Sequence, residues 1–68
     1  MLRVLEIRKS RGFSQAVLAK KVGIEQGSLC DIERGRRKPS FDVLIRLALA
    51  LECSLDELVD LSAYPAAS

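Results

Sequence analysis

The sequence predicts an all-α domain of five short helices, and three observations support this prediction. Apolar residues recur at helical spacing along the chain, serines stand where helices are expected to begin, and glycines stand where several should end. A chain of 68 residues makes one domain, which buries only about 60% of the surface exposed when unfolded. Hydrophobic residues make up 49% of the sequence but aromatic residues only 4%, so we expect an aliphatic core.

The first helix is predicted over residues 2–11. Val4 and Ile7 lie three positions apart and form its inward stripe, with Leu2 and Leu5 beside them. Several of the remaining side chains are charged, which is typical of a helix with one face in solvent.

The second and third helices are joined by a tight turn. The second follows the N-cap Ser14 and runs to Val22, where Gly23 supplies the positive φ that ends a helix at low cost. The third spans residues 26–34, after Glu25 at its cap position. Two short helices joined in this way must cross, so the third presents one face outward.

The fourth helix is predicted over residues 41–51, because Pro39 prevents an earlier helix from continuing and Ser40 provides an N-cap. Leu49 falls on its polar face and is therefore expected to be exposed. The side chains expected to be buried are Phe41, Leu44, Ile45, Ala48 and Leu51.

The fifth helix begins with the capping box Ser54-Leu55-Asp56-Glu57 and is predicted to run to about Leu61. The five helices form one predicted domain over residues 1–62. Residues 63–68 form a short, small-residue tail that we expect to be frayed.

Charge is unevenly distributed along the chain. Residues 1–38 carry ten basic and four acidic side chains, a net charge of +6, whereas residues 39–68 carry one basic and five acidic side chains, a net charge of −4. A basic half of this kind is the electrostatic feature expected of a protein that binds nucleic acid.

Several function classes are disfavoured by composition. The chain has no histidine, and Cys30 and Cys53 form no CxxC pair, so we expect no metal site and no cofactor. No serine or cysteine has a plausible base near it in the sequence, so we do not expect an enzyme. Met1 leads straight into a charged helix and no apolar run could cross a membrane. We therefore expect a cytoplasmic protein with reduced thiols, no membrane association and no small-molecule ligand.

The region of the second and third helices resembles the helix-turn-helix of the Cro and lambda-repressor-like family, also called XRE-type. The resemblance covers roughly residues 2–61 and extends to small stand-alone repressors and restriction–modification controller proteins. The matching residues are Arg8, Ser14-Gln15, Leu18-Ala19, Val22-Gly23, Ile32-Glu33, Gly35, Pro39-Ser40, Leu44, Ala48, Leu51, Ser54-Leu55 and Leu58.

The resemblance implies that the third helix contacts base edges in the major groove of double-stranded DNA. Its base-reading positions in this sequence are Gln26, Gly27, Ser28 and Asp31. A glutamine amide can bind adenine, and the carboxylate of Asp31 can accept from a cytosine amine, although Asp31 also fits an ordinary solvated face. Gly27 costs about 1 kcal/mol relative to alanine. It indicates either close approach to a partner or tolerance in a first turn.

The resemblance also implies an ion pair between Arg8 and Glu33, which would tie the first helix to the third. Five positions depart from the family pattern, namely Val17, Glu25, Gly27, Leu49 and Glu52. Glu25 stands where Ser or Thr is usual, and Glu52 stands where Gly is usual, which leaves open whether the turn after the fourth helix differs. The predicted phosphate contacts are Arg8, Gln15, Arg34, Arg36, Arg37 and Lys38.

We therefore predict a sequence-specific DNA-binding transcriptional regulator that acts as a homodimer on a two-fold symmetric operator. An isologous contact between the fourth and fifth helices is expected to join the two copies. The alternative is an antitoxin or another protein-interaction module, which is disfavoured because only seven residues follow the fifth helix. The residues predicted at the dimer interface are Val43, Leu49, Leu61 and Tyr64.

Overall fold

Five helices joined by short turns make up the described part of the chain, residues 2–60 of the computed structural model. The prediction of an all-α, five-helix domain is confirmed, and the only strand-like feature within residues 2–60 is one isolated bridge. The helices are α1 (Val4–Ser10), α2 (Gln15–Val22), α3 (Gln26–Glu33), α4 (Phe41–Leu51) and α5 (Leu55–Leu58).

Three of the helices begin at serine N-caps, as predicted. The hydroxyl oxygens of Ser14, Ser40 and Ser54 each accept a hydrogen bond from the backbone N–H three residues further on, at 3.1, 3.2 and 3.1 Å. Glu57 reaches back to Ser54 and completes the capping box. Each such cap contributes about 1 kcal/mol to helix stability, so these starts are fixed by local sequence.

Two helices end in the left-handed conformation. Gly23 follows α2 with φ 80°, and Glu52 follows α4 with φ 53°. The turn after α4 is therefore of the kind that glycine favours, although the residue there is glutamate. Arg11 supports it, because its Nε donates to the carbonyl oxygen of Leu51 at 2.8 Å and its Nη2 to that of Glu52 at 3.4 Å.

The core is aliphatic, as predicted, and no polar or charged residue within residues 2–60 is classed as buried. α2 lies at its centre and packs against both α3 and α4. The buried residues are Val4, Leu18, Ala19, Val22, Leu29, Ile32, Leu47, Ala48, Leu51 and Leu58.

The predicted range of α4 is correct, but the prediction of which of its faces is buried is wrong. Phe41 was expected inside but is 71% exposed, whereas Leu47, which was not expected in the core, is fully buried. The buried face centres on Leu47 and Leu51, so Phe41 and Ile45 lie towards its edge, and Ile45 is only half-buried. Spacing alone indicated a stripe and did not fix how that stripe faces the other helices.

Both outer ends of the domain also differ from the prediction. α1 begins at Val4 rather than residue 2, and α5 ends at Leu58 rather than residue 61. The reason is that Leu2 and Val59 form an antiparallel bridge, and the N–H of Arg3 donates to the carbonyl oxygen of Leu58 at 2.8 Å. Predictions for Leu61, Tyr64, the boundary at residue 62 and the tail lie outside the described residues.

Candidate DNA-binding surface

A sequestered ion pair joins α1 to the end of α3. Arg8 Nε lies 2.6 Å from Glu33 Oε2, and Arg8 Nη2 lies 3.3 Å from Glu33 Oε1. Only 11% of the Arg8 side chain and 3% of the Glu33 side chain are exposed. The predicted pair is thus present, with the two-pronged geometry that arginine and carboxylate favour.

The same carboxylate anchors a chain of hydrogen bonds that leads to the outer face of α3. Gln15 Nε2 donates to Glu33 Oε1 at 2.9 Å, and Gln26 Nε2 donates to Gln15 Oε1 at 3.3 Å. Gln15 therefore links Gln26 to the carboxylate of Glu33. The bond from Gln15 to Glu33 was not predicted, because a partner 18 positions away leaves no local signal in the sequence.

The four predicted base-reading residues all lie on α3, with different accessibilities. Gln26 and Gly27 are exposed, whereas Ser28 and Asp31 are half-buried. The hydroxyl of Ser28 accepts a hydrogen bond from Arg37 Nη1 at 3.2 Å, a contact that sequence reasoning missed. The structure thus places Gln26 and Gly27 where a partner reaches them first.

A basic loop, residues 34–38, follows α3 directly. Its backbone folds back onto the helix, because the carbonyl oxygen of Asp31 accepts from the N–H of Arg36 at 2.8 Å and from that of Arg37 at 3.3 Å. Within residues 2–60, no carboxylate forms an ion pair with the exposed side chains of this loop. Its charges are available to an external anion, as expected of a phosphate-binding surface. The basic side chains of this loop are Arg34, Arg36, Arg37 and Lys38.

Arg8 stands apart from the other predicted phosphate contacts. Besides its two bonds to Glu33, its Nη1 donates to the carbonyl oxygen of Phe13 at 2.9 Å. Three of its nitrogen atoms are directed at internal partners, so the geometry favours a structural role. Contact of Arg8 with a phosphate stays a prediction.

A second surface, on α4, has a different composition. Phe41 and Leu49 are 71% and 74% exposed, and Ile45 lies between them at a spacing of four residues. We call these three residues the α4 stripe. Beside it, Arg46 Nη2 and Asp42 Oδ2 form an exposed ion pair at 2.9 Å.

Val43 does not belong to this exposed surface. It was predicted as an exposed apolar residue, but it is half-buried and packs against the core. Val43 lies on the side of α4 that faces the rest of the domain, whereas Phe41 and Leu49 lie on its exposed side.

Across residues 2–60, no cluster of three or more His, Cys, Asp or Glu side chains is placed to hold a metal ion. None of the helices there has the length and apolar character that crossing a bilayer requires. Cys30 and Cys53 are free and half-buried. Burial raises the pKa of the Cys53 thiol, Glu57 raises it further, and Arg11 partly opposes both effects.

α2 and α3 pack together across a tight turn, α3 has an outward polar face, and a basic loop follows it. These features define a helix-turn-helix DNA-binding domain. The sequence profile of the helix-turn-helix family HTH_3 matches residues 4–58. The chain therefore belongs to this family of XRE-type transcriptional regulators, as the resemblance predicted. Proteins of this family are regulators of transcription and not enzymes.

Curated relatives agree with this assignment. An uncharacterized HTH-type transcriptional regulator of Bacillus subtilis, YazB, is 41% identical over 56 residues, covering 82% of this chain and 81% of that protein. The immunity repressor of Bacillus phage phi105 is 39% identical over 57 residues, covering 84% of this chain. This match spans only 40% of the phage repressor.

Solved structures share the fold. The restriction–modification controller protein C.AhdI from Aeromonas hydrophila is 35% identical with a TM-score of 0.80, covering 84% of this chain and 86% of that one. The P22 c2 repressor in complex with a synthetic operator is 34% identical with a TM-score of 0.80, covering 85% and 88%.

Proposed function

We propose that this protein regulates transcription by reading the major groove of double-stranded DNA with α3, as a homodimer on a two-fold symmetric operator. One observation carries this proposal. The exposed Gln26 amide is held on the outer face of α3 by a chain of hydrogen bonds that ends in the sequestered Arg8–Glu33 pair. A reading residue fixed in this way loses little conformational freedom when it binds.

Gln26 is the principal candidate for direct base readout. One N–H of its amide is bonded to Gln15, which leaves the amide oxygen and the second N–H for a partner. An adenine presents the complementary pair, a donor at N6 and an acceptor at N7, in the major groove. Gln26 is therefore proposed to select adenine.

Asp31 and Ser28 are proposed to refine this selection. The Asp31 carboxylate can accept a hydrogen bond from the cytosine amine, and it repels the phosphates of a misaligned duplex. Ser28 is already bonded to Arg37, so it is positioned relative to the basic loop. Specificity then rests on rejection of wrong sites as well as on attraction to the right one.

The basic loop and the start of α2 are proposed to hold the DNA backbone. The exposed cations of the loop lack carboxylate partners within residues 2–60, so phosphates would neutralise them and release counterions. The proposed phosphate contacts are Arg8, Gln15, Arg34, Arg36, Arg37 and Lys38.

The α4 stripe is the proposed contact with a second copy of this chain. Two such stripes packed antiparallel would bring Phe41 of one copy towards Leu49 of the other, with Ile45 near the axis. The adjacent Asp42 and Arg46 carry opposite charges, so they suit a self-complementary contact of this kind. Leu61 and Tyr64 remain predicted contributors.

Selection from random duplex DNA at moderate salt tests the proposal. We expect enrichment of a two-fold symmetric site with half-sites about 10 base pairs apart, centre to centre. Gln26→Ala should relax the preference at one adenine in each half-site, whereas Glu6→Ala, on the exposed face of α1, should select the wild-type site. No enrichment, even at low salt, would overturn the proposal.

An antitoxin-like protein-interaction module is the second candidate, and the exposed α4 stripe is the observation that favours it. Salt dependence separates the two candidates. Binding driven by phosphate contacts weakens steeply as salt rises, whereas an apolar protein contact does not. A ligand retained unchanged from low to high salt would favour the protein partner.

A further inference from the structure

Gly27 occupies the first turn of α3, where no contact with the described part of the chain requires a glycine. Its backbone is helical, unlike that of Gly12, Gly23 and Gly35, which have positive φ. Among residues 2–60, a Cβ built at Gly27 would meet no heavy atom within 4 Å beyond its own stretch of helix. Glycine destabilises a helix relative to alanine. Gly27 therefore lowers the stability of α3, and neither a positive φ nor a close contact within residues 2–60 accounts for it.

The side chains on either side of Gly27 are drawn away from it. Gln26 is bonded to Gln15 on α2, and Ser28 is bonded to Arg37 in the basic loop. The Cα of Gly27 thus lies bare between two anchored polar side chains on the exposed face of the reading helix. We call this feature the Gly27 notch.

Building on the proposed function, we propose that the Gly27 notch receives the 5-methyl group of a thymine in the operator. The notch has no side chain that can hydrogen-bond, and the group it lacks relative to alanine is one methyl. Among major-groove features, the thymine 5-methyl is the apolar group that projects towards a bound helix. The thymine methyl would thus occupy the space that the side chain of an alanine at position 27 would fill.

The proposed contact can be tested from both sides, because a methyl group can be removed from the DNA and, separately, added to the protein. Uracil is thymine without the 5-methyl, and Gly27→Ala adds a methyl to the notch. The wild-type protein should bind the thymine duplex about fourfold more tightly than the uracil duplex, the factor that burial of one methyl group supplies. Gly27→Ala should reverse this order and prefer uracil.

The experiment measures binding of both proteins to the operator obtained by selection and to duplexes in which each thymine pair is replaced in turn by uracil. Fluorescence anisotropy at one salt concentration gives the four dissociation constants at each position. Urea denaturation checks the variant, whose midpoint should rise because alanine favours the helix. Glu6→Ala, on α1, is the control and should keep the wild-type preference for thymine.

A reversal of preference at one thymine of each half-site would establish the contact. The inference is overturned if no thymine matters to the wild-type protein, or if Gly27→Ala binds the thymine duplex as tightly as the wild type. It is also overturned if the variant weakens on thymine and uracil alike. A wild-type protein that selects no DNA site would overturn the proposed function itself, and this inference with it.

Discussion

The outer faces of α3 and α4 are exposed for different reasons. On α3, Gln26 is held by a chain of hydrogen bonds and lies beside a basic loop. On α4, Phe41 and Leu49 are largely exposed and lie outside the core cluster formed within residues 2–60. The first surface suits a polar, charged ligand that must be read in detail, and the second suits an apolar partner. Because the two surfaces lie on separate helices, we expect substitutions to alter the proposed DNA recognition and the proposed assembly independently.

The largest expected effect is a loss of stability on breaking the sequestered ion pair beside α3, compared with breaking the exposed ion pair on α4. Glu33→Gln leaves Arg8 sequestered beside a neutral amide, so the free energy of unfolding should fall by about 3 kcal/mol. Asp42→Asn breaks the exposed pair with Arg46 and should cost less than about 1 kcal/mol. Urea denaturation measures both. Equal losses would show that the Arg8–Glu33 pair is not the internal anchor described above.

The next effect concerns charge. Arg36→Ala and Lys38→Ala should each weaken DNA binding across sequences and reduce the salt slope of the binding constant by about 1, because each removes one proposed phosphate contact. Lys20→Ala, at an exposed position in the last turn of α2, is the matched loss of one positive charge outside the basic loop. A salt slope that falls as much for Lys20→Ala would contradict the assignment of the loop.

A change on the α4 stripe should act on assembly. Leu49→Glu puts a charge into the proposed contact with a second copy, so the dimer should dissociate at least about tenfold more readily. Sedimentation at several concentrations measures this, with Leu5→Glu on α1 as the control. A wild-type monomer at high concentration, unaffected by Leu49→Glu, would exclude the stripe as the interface.

The smallest effect lies away from both surfaces. Because burial and Glu57 raise the pKa of the Cys53 thiol, it stays protonated through neutral pH and should react with iodoacetamide more slowly in the folded than in the unfolded chain. A raised thiol pKa stabilises the fold below the pKa of the unfolded thiol. That stabilisation is lost as pH rises towards the folded value. Equal alkylation rates would contradict this environment.

The sequence predicted most of the fold because the signals that begin helices are local. Ser14, Ser40 and Ser54 each cap the helix that follows within a few residues, and the structure retains all three caps. The ends near Leu2 and Val59 were wrong because they depend on a bridge between distant parts of the chain. No local pattern indicates such a bridge.

The candidate site likewise contains features that the sequence predicted and features that it did not. Gln26 and the pair Arg8–Glu33 were predicted from family resemblance, which carries information about distant contacts. The bond from Arg37 to Ser28 was not predicted, because it depends on how the basic loop folds back onto α3. Spacing placed Leu49 correctly on an exposed face, but it could not fix the orientation of the face as a whole.

In the proposed arrangement, DNA binds the outer face of α3 and the basic loop, while the α4 stripe contacts a protein partner. Titration of ¹⁵N-labelled protein with the selected duplex, followed by NMR, tests it most directly. We expect the largest amide shifts in residues 26–31 and 34–38, with those of Phe41–Leu51 far smaller beyond the first turn. The largest shifts around Leu49, with α3 unchanged, would contradict the account.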